Sequence, residues 1–267
     1  MINASSFFSI DKDYWTLVCS KGRFFIEFEI GGKAREKEYI DSERRYASKL
    51  YHLVPHIFAK LEKIELDQNL FIRYEYFPGG DLYSLIKSGE TKNFSLVQKL
   101  KIGYGVALSI KVLEDNSLFH PSLTDKYIFI DENTEPHIVS YTFMPEGKHH
   151  SIRDNIIELG NILEKLGNDK NDKVTSLSYL CKYSNISIDI IISKIIMIAN
   201  ELNETENEIF NKYVNTADTN SNIKPHNCMT DLLKAYKNGI SHANSIIEQM
   251  IDMEYITSNK KDLIQNI

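Results

Sequence analysis

Residues 74–86 read YEYFPGGDLYSLI, and the chain changes character inside this stretch. On its N-terminal side, apolar and polar residues alternate with the period of two expected of half-buried strands. On its C-terminal side the apolar spacing lengthens to that of helices. Pro78-Gly79-Gly80 marks the switch, because proline lacks the donor a sheet ladder needs and glycine gives the backbone a freedom that neither strand nor helix requires. Asp81 follows directly, and a carboxylate there is suited to cap a short helix through Ile86.

Upstream, Tyr14, Thr16 and Val18, and then Phe24, Ile26, Phe28 and Ile30, alternate as antiparallel strands do. Lys21-Gly22 supplies a turn between these runs, and Gly31-Gly32 ends the second. The charged stretch 34–53, AREKEYIDSERRYASKLYHL, predicts one helix, stopped by Pro55. Residues 57–66 and 70–76 predict two further strands, joined through Asp67, Gln68 and Asn69.

Downstream the chain is mostly helical. Ser95 starts a helix running to about Glu114, and further helices are expected over 151–166, 186–202 and 230–253. Residues 126–141, KYIFIDENTEPHIVSY, alternate again around Asp131, Glu132 and Asn133, so a short hairpin is expected among the helices. The Asn- and Asp-rich residues 203–227 read as a break between helices.

Composition narrows the function. A chain of 267 residues buries a sizeable core without staples, and Cys19, Cys181 and Cys228 are widely spaced, with no CxxC pair, as suits a reducing compartment. The N-terminal MINASSFFSIDKDYW has no basic region followed by a long apolar run, so no secretory signal is expected and the expected location is cytoplasmic. The most apolar run, 186–199, carries Asp189, Ser193 and Lys194 and falls short of the roughly 20 residues that cross a bilayer; it predicts a buried helix, and no membrane partner. A net charge of −6 with interspersed signs disfavours nucleic acid. His137, His149 and His150 have no Cys or acidic residue at ligand spacing, so no metal is assigned.

Specific words resemble the protein kinases. Residues 74–86 are similar to the kinase hinge and the helix after it through Glu75, Tyr76, Pro78, Gly79, Gly80 and Leu82. Residues 42–57, SERRYASKLYHLVPHI, resemble the small-lobe helix and its following turn, with Pro55 alone where kinases commonly carry His-Pro. Residues 119–146, FHPSLTDKYIFIDENTEPHIVSYTFMPE, resemble the catalytic loop, its hairpin, the metal-binding motif and the Ala-Pro-Glu motif, through His120, Leu123, Ile128, Ile130, Asp131, Ile138, Pro145 and Glu146. In 153–166, RDNIIELGNILEKL, Asn155 stands at the acidic position of an Asp-x-x-x-x-Gly word and Gly160 keeps its place. The resemblance covers roughly residues 7–205. It implies an α+β, bilobal fold: a small antiparallel β lobe with one helix over 1–76, a hinge over 77–80, a larger, mainly helical lobe over 81–205, a linker over 206–229 and a helical tail over 230–267.

Phosphoryl transfer works by positioning and charge neutralisation, and the residues that the resemblance requires for it are missing. Gly22 is the one glycine between Met1 and Phe28, so no GxGxxG loop presents backbone N–H groups to phosphates. Glu27 or Glu29 falls near the place of the strand lysine, with Lys33 and Lys37 poorly placed as substitutes. Ser122 replaces the acid that accepts the substrate proton, and Tyr127 and Ser140 replace both side-chain ligands for magnesium, leaving Asp125 and Asp131 nearby. Thr142 is followed almost at once by Met144-Pro145-Glu146, which leaves little room for a substrate-holding segment.

The expected function is therefore a pseudokinase: a protein-binding scaffold or regulator in signalling, with a pocket filled by side chains and a protein partner, an active kinase among the candidates. No cofactor is implied beyond weak, metal-independent ATP binding at a vestigial adenine site on Glu75, Tyr76 and Phe77. The alternative is a divergent active protein kinase. Residues 234–264 resemble one Sel1-like repeat through Ala235, Gly239, Ala243, Tyr255 and Lys260; an amphipathic helix pair fits the same residues.

Overall fold

A computed structural model describes residues 8–11, 14–20, 23–30, 36–66, 70–139, 151–167, 173–217, 233, 236–237 and 241–252. It is an α+β structure, mostly helical, with antiparallel sheets. Strands β1 (Phe8–Asp11), β2 (Thr16–Ser20), β3 (Arg23–Ile30), β4 (Leu61–Leu66) and β5 (Leu70–Glu75) form one sheet in the order β1-β2-β3-β5-β4. Helix α1 (Glu36–Leu53) lies between β3 and β4 in sequence.

The period of two is realised in β5, where Leu70, Ile72 and Tyr74 are buried while Phe71, Arg73 and Glu75 are half-buried. On the outer face Glu27 of β3 stands opposite Arg73, accepts a hydrogen bond from its Nε, and is joined there by Glu65 of β4 at 2.9 Å. The inner-face partners Phe24, Ile26 and Phe28 are buried. The fourth strand starts later than its apolar pattern implied, at Leu61. Ile57 and Phe58 instead leave the sheet to meet a later strand at Ile138: Ile138 N–H donates to Ile57 O at 2.7 Å and Ala59 N–H to Ile138 O at 3.0 Å.

The second sheet is small. β6 (Gly80–Asp81), β7 (Ile128–Ile130) and β8 (Pro136–Ile138) pair antiparallel, so the hairpin within the helical part is present as expected. Around it lie α2 (Leu82–Ser88), α3 (Leu96–Asp115), α4 (Ile152–Leu166), α5 (Lys173–Tyr183), α6 (Ile188–Ala199), α7 (Glu204–Ala217) and α8 (Ser241–Asp252). Asp81, Ser95 and Ser151 cap α2, α3 and α4, the last two through reciprocal capping boxes with Gln98 and Asp154.

Two helices fall where none was expected. α5 occupies a stretch without a predicted element, and α7 lies within the residues read as a break and linker. α7 is held by packing: Phe210 and Tyr213 set their rings edge-on against Tyr104 of α3 at 5.7 and 6.0 Å. Among the described residues, no helix is long and apolar enough to cross a membrane.

Candidate functional site

The segment leaving β5 is held close to β7 because it has no side chains there. A Cβ on Gly79 would come within 2.5 Å of Ile130 O, and Gly79 N–H donates to that same oxygen at 2.9 Å. Gly80 has φ +79°, and a Cβ there would strike the ring of His242, 2.7 Å away. The Pro-Gly-Gly word thus lets two backbone segments and the first turn of α8 meet at one point.

At that point Asp81, fully buried, is a hub. One carboxylate oxygen accepts from Ser84 N–H at 2.7 Å and from the Tyr14 hydroxyl; the other accepts from Trp15 Nε1 at 3.0 Å and Ser84 Oγ at 2.8 Å. A carboxylate has about four acceptor sites, and all are in use. Tyr14 and Trp15 lie just before β2, so the residue that caps α2 also fastens the start of the five-stranded sheet to the second sheet. Lys126 sits over the rings of both Tyr14 and Tyr83 at 5.1 Å.

From Trp15 a file of rings crosses the interface between the sheets. The indole, 2% exposed, is T-shaped on Phe129 at 5.3 Å; Phe129 meets Phe28 at 6.2 Å; Phe28 meets Tyr127 at 6.1 Å; and Tyr127 meets His120 at 5.9 Å. On the other side His242 closes the file, 6.1 Å from Trp15 and 6.5 Å from Tyr76. Ala243, Ile246, Ile247 and Met250 of α8 are fully buried in the same apolar core.

His120 is fixed on all sides. Asn155 of α4 accepts from His120 N–H at 2.8 Å and donates to His120 O at 2.6 Å. Ser122 N–H donates to His120 Nδ1 at 3.1 Å, which assigns the ring proton to Nε2, and Nε2 donates to Val139 O at 3.1 Å. Asn155, at the acidic position of the 153–166 word, therefore anchors the loop that carries His120 of the 119–146 word.

No family model matches the chain. Over 55 residues it is 42% identical to a serine/threonine-protein kinase of Drosophila persimilis and to another of Drosophila pseudoobscura pseudoobscura. That stretch is 20% of this chain and 7% of each relative. On that segment a kinase-like relation is supported.

The residues expected at the adenine site are adjacent but turn different ways. Glu75 accepts from Lys60 N–H through its carboxylate at 2.7 Å and donates its own N–H to Lys60 O at 3.1 Å. The Tyr76 ring lies against Phe24 and His242, and the Phe77 ring stacks on His137 at 4.0 Å. The residues expected at the phosphoryl-transfer positions offer little to a magnesium triphosphate. Ser122 and Tyr127 offer hydroxyls, and burial pushes the Tyr127 phenol further above its ordinary range. Asp125 is taken by Lys165 at 2.6 Å. Asp131 accepts from the N–H groups of Glu135 and Asn133 at 2.7 and 2.9 Å, inside its own turn. Ser140 lies outside the described residues. Glu27 or Glu29 was expected near the place of the strand lysine; Glu27 lies opposite Arg73 and bonds it, Glu29 is exposed opposite Phe71, and Phe28 between them meets Phe129.

Sequence reasoning missed Tyr14, Trp15 and His242 as occupants of the interface, and the second role of Asp81. It also passed over Glu43, fully buried on the inner face of α1 with Ala47 and Leu50. The i, i+4, i+7 spacing of Glu43, Ala47 and Leu50 was the available signal, since a charged residue on an apolar stripe is seldom idle.

Proposed function

We propose that this chain is a degenerate protein-kinase-like domain, a pseudokinase, that works as a protein-binding scaffold or regulator in signalling. In this reading the five-stranded sheet and α1 are the small lobe, residues 77–80 the hinge, and the helices with their hairpin the large lobe. The sheet order β1-β2-β3-β5-β4, the helix after β3 and the Asn155 anchor on His120 support it.

The observation that carries the loss of catalysis is the fastening of Trp15 and Tyr14 onto Asp81. In an active relative the strands around these residues would hold a glycine-rich loop over phosphates; here an indole and a phenol stand between those strands and are hydrogen-bonded to Asp81. A carboxylate with four donors has no capacity left for a ligand hydroxyl. The partner is a protein, recognised by an outer surface of the domain.

A second reading, a divergent active kinase, draws on the likeness to the two Drosophila serine/threonine-protein kinases. Thermal-shift titration with ATP, with and without magnesium, separates the two. A ligand at a hundred times its dissociation constant adds about 2.7 kcal/mol. The scaffold reading expects no magnesium-dependent shift at millimolar ATP; a saturable one supports the active kinase.

A further inference from the structure

The run 186–199 was expected to be a helix buried for the core alone, and only half of it is. α6 buries Ile188, Ile191, Ile195 and Ala199, a stripe at helical spacing. Outward the same helix shows Ile190 and Met197, 45% and 62% exposed, beside the exposed Asp189 and Ser193. Large apolar side chains left open on an outer face mark a surface that a partner can cover.

The neighbouring helix repeats the pattern. Tyr183 of α5 is 73% exposed and stacks on Tyr179 at 5.8 Å. Four of the six exposed large apolar side chains among the described residues thus lie on α5 and α6. Between the two helices runs a groove of about 260 Å³ with Leu177, Leu180, Met197 and Ile198 on its walls. Methionine and leucine at such a wall adapt to an inserted side chain.

The charge around the groove selects the occupant. Lys173 and Lys194 stand on its rim, and its Glu201 carboxylate is held by Lys173. Among the described residues of the rim, Glu201 offsets Lys173 and no carboxylate pairs with Lys194, so these residues carry one positive charge in excess. We infer that the α5–α6 groove is a docking site for an acidic amphipathic helix of a partner protein, its apolar side chains entering between Leu177 and Met197 and a carboxylate meeting Lys194. This rests on the protein-binding reading above and names its surface.

The test uses the full chain and two synthetic amphipathic helical peptides with leucines at i, i+3, i+4 and i+7, one carrying glutamates elsewhere and one lysines. Fluorescence anisotropy should show the acidic peptide binding at least about tenfold more tightly than the basic one. Met197→Asp should weaken the acidic peptide by about tenfold, and Lys194→Glu should remove or invert the charge preference. The charge comparison on the wild-type chain needs no variant to fold. No binding of the acidic peptide, equal binding of both peptides, or indifference to both substitutions would overturn the proposal. So would self-association abolished by Met197→Asp, which assigns the groove to a second copy. The nucleotide titration is read separately, so the groove fails without the pseudokinase reading failing.

Discussion

The Trp15 indole donates a hydrogen bond to the Asp81 carboxylate at 3.0 Å, across 66 residues of chain and from one sheet to the other. Both groups are buried, so the bond cannot be exchanged for water without opening the interface. Tyr14, Ser84 and the first turn of α2 depend on the same carboxylate.

Asp81→Ala should therefore cost more than the loss of a helix cap. A cap is worth about 1 kcal/mol, and stranding the Trp15 and Tyr14 donors adds a similar or larger amount, for about 2–4 kcal/mol in all. Asp81→Asn keeps an acceptor oxygen and should cost clearly less. Urea denaturation midpoints at constant slope compare the two.

Asn155→Ala removes both hydrogen bonds to the backbone of His120, in a site without water access. A loss of about 2–3 kcal/mol is expected by the same denaturation measurement. A loss under about 0.5 kcal/mol would mean that the loop is held by other contacts.

Acid should destabilise the fold through Asp131. Burial opposes its ionisation, but the His137 imidazole 3.7 Å away and the N–H groups of Glu135 and Asn133 hold its carboxyl below the usual range. A depressed value in the fold means stability present above the unfolded value near about 4 and lost as pH falls through the folded value. The neighbouring Glu135 is shifted the other way, by burial and then by the charge of Asp131, so its share has the opposite sign. Asp131→Asn should flatten the acid limb of a stability profile taken between about pH 2.5 and pH 7; an unchanged limb would remove Asp131 from the account.

Gly105→Ala pits two effects against each other. Alanine inside a helix gains up to about 1 kcal/mol over glycine. Here the new Cβ would come within 2.5 Å of Pro136 and closer still to the Tyr213 hydroxyl, and such overpacking costs about 1–3 kcal/mol. A lower melting temperature confirms that β8 and α7 are pressed onto α3; a higher one would show that they yield.

The parts of the fold legible in the sequence were those written locally. Asp81, Ser95 and Ser151 each accept a hydrogen bond within their own turn, and the alternation in β3, β5 and the β7–β8 hairpin needs only near neighbours. α7 was obscured because its asparagines read as a linker, although Asn203 accepts from Glu206 N–H at 3.0 Å, a capping signal in plain view. The candidate site was less legible because its key partners are remote. Nothing near Trp15 announces Asp81, and nothing near Gly80 announces His242, 162 positions on. The absence of a glycine-rich loop was readable; what fills its place was not. Glu27 was placed by the resemblance, although the alternation of Phe24, Ile26 and Phe28 already put it on the opposite face of β3.

Trp15 is the only tryptophan of the chain, so its fluorescence reports directly on the proposal that the place of a nucleotide cleft is closed by the protein's own side chains. The measurement is its emission and its quenching by acrylamide during titration with ATP and magnesium. An indole 2% exposed and hydrogen-bonded to Asp81 should give a blue-shifted, weakly quenched emission that stays unchanged to millimolar nucleotide. A solvent-like, readily quenched emission, or a saturable change on adding magnesium and ATP, would contradict it.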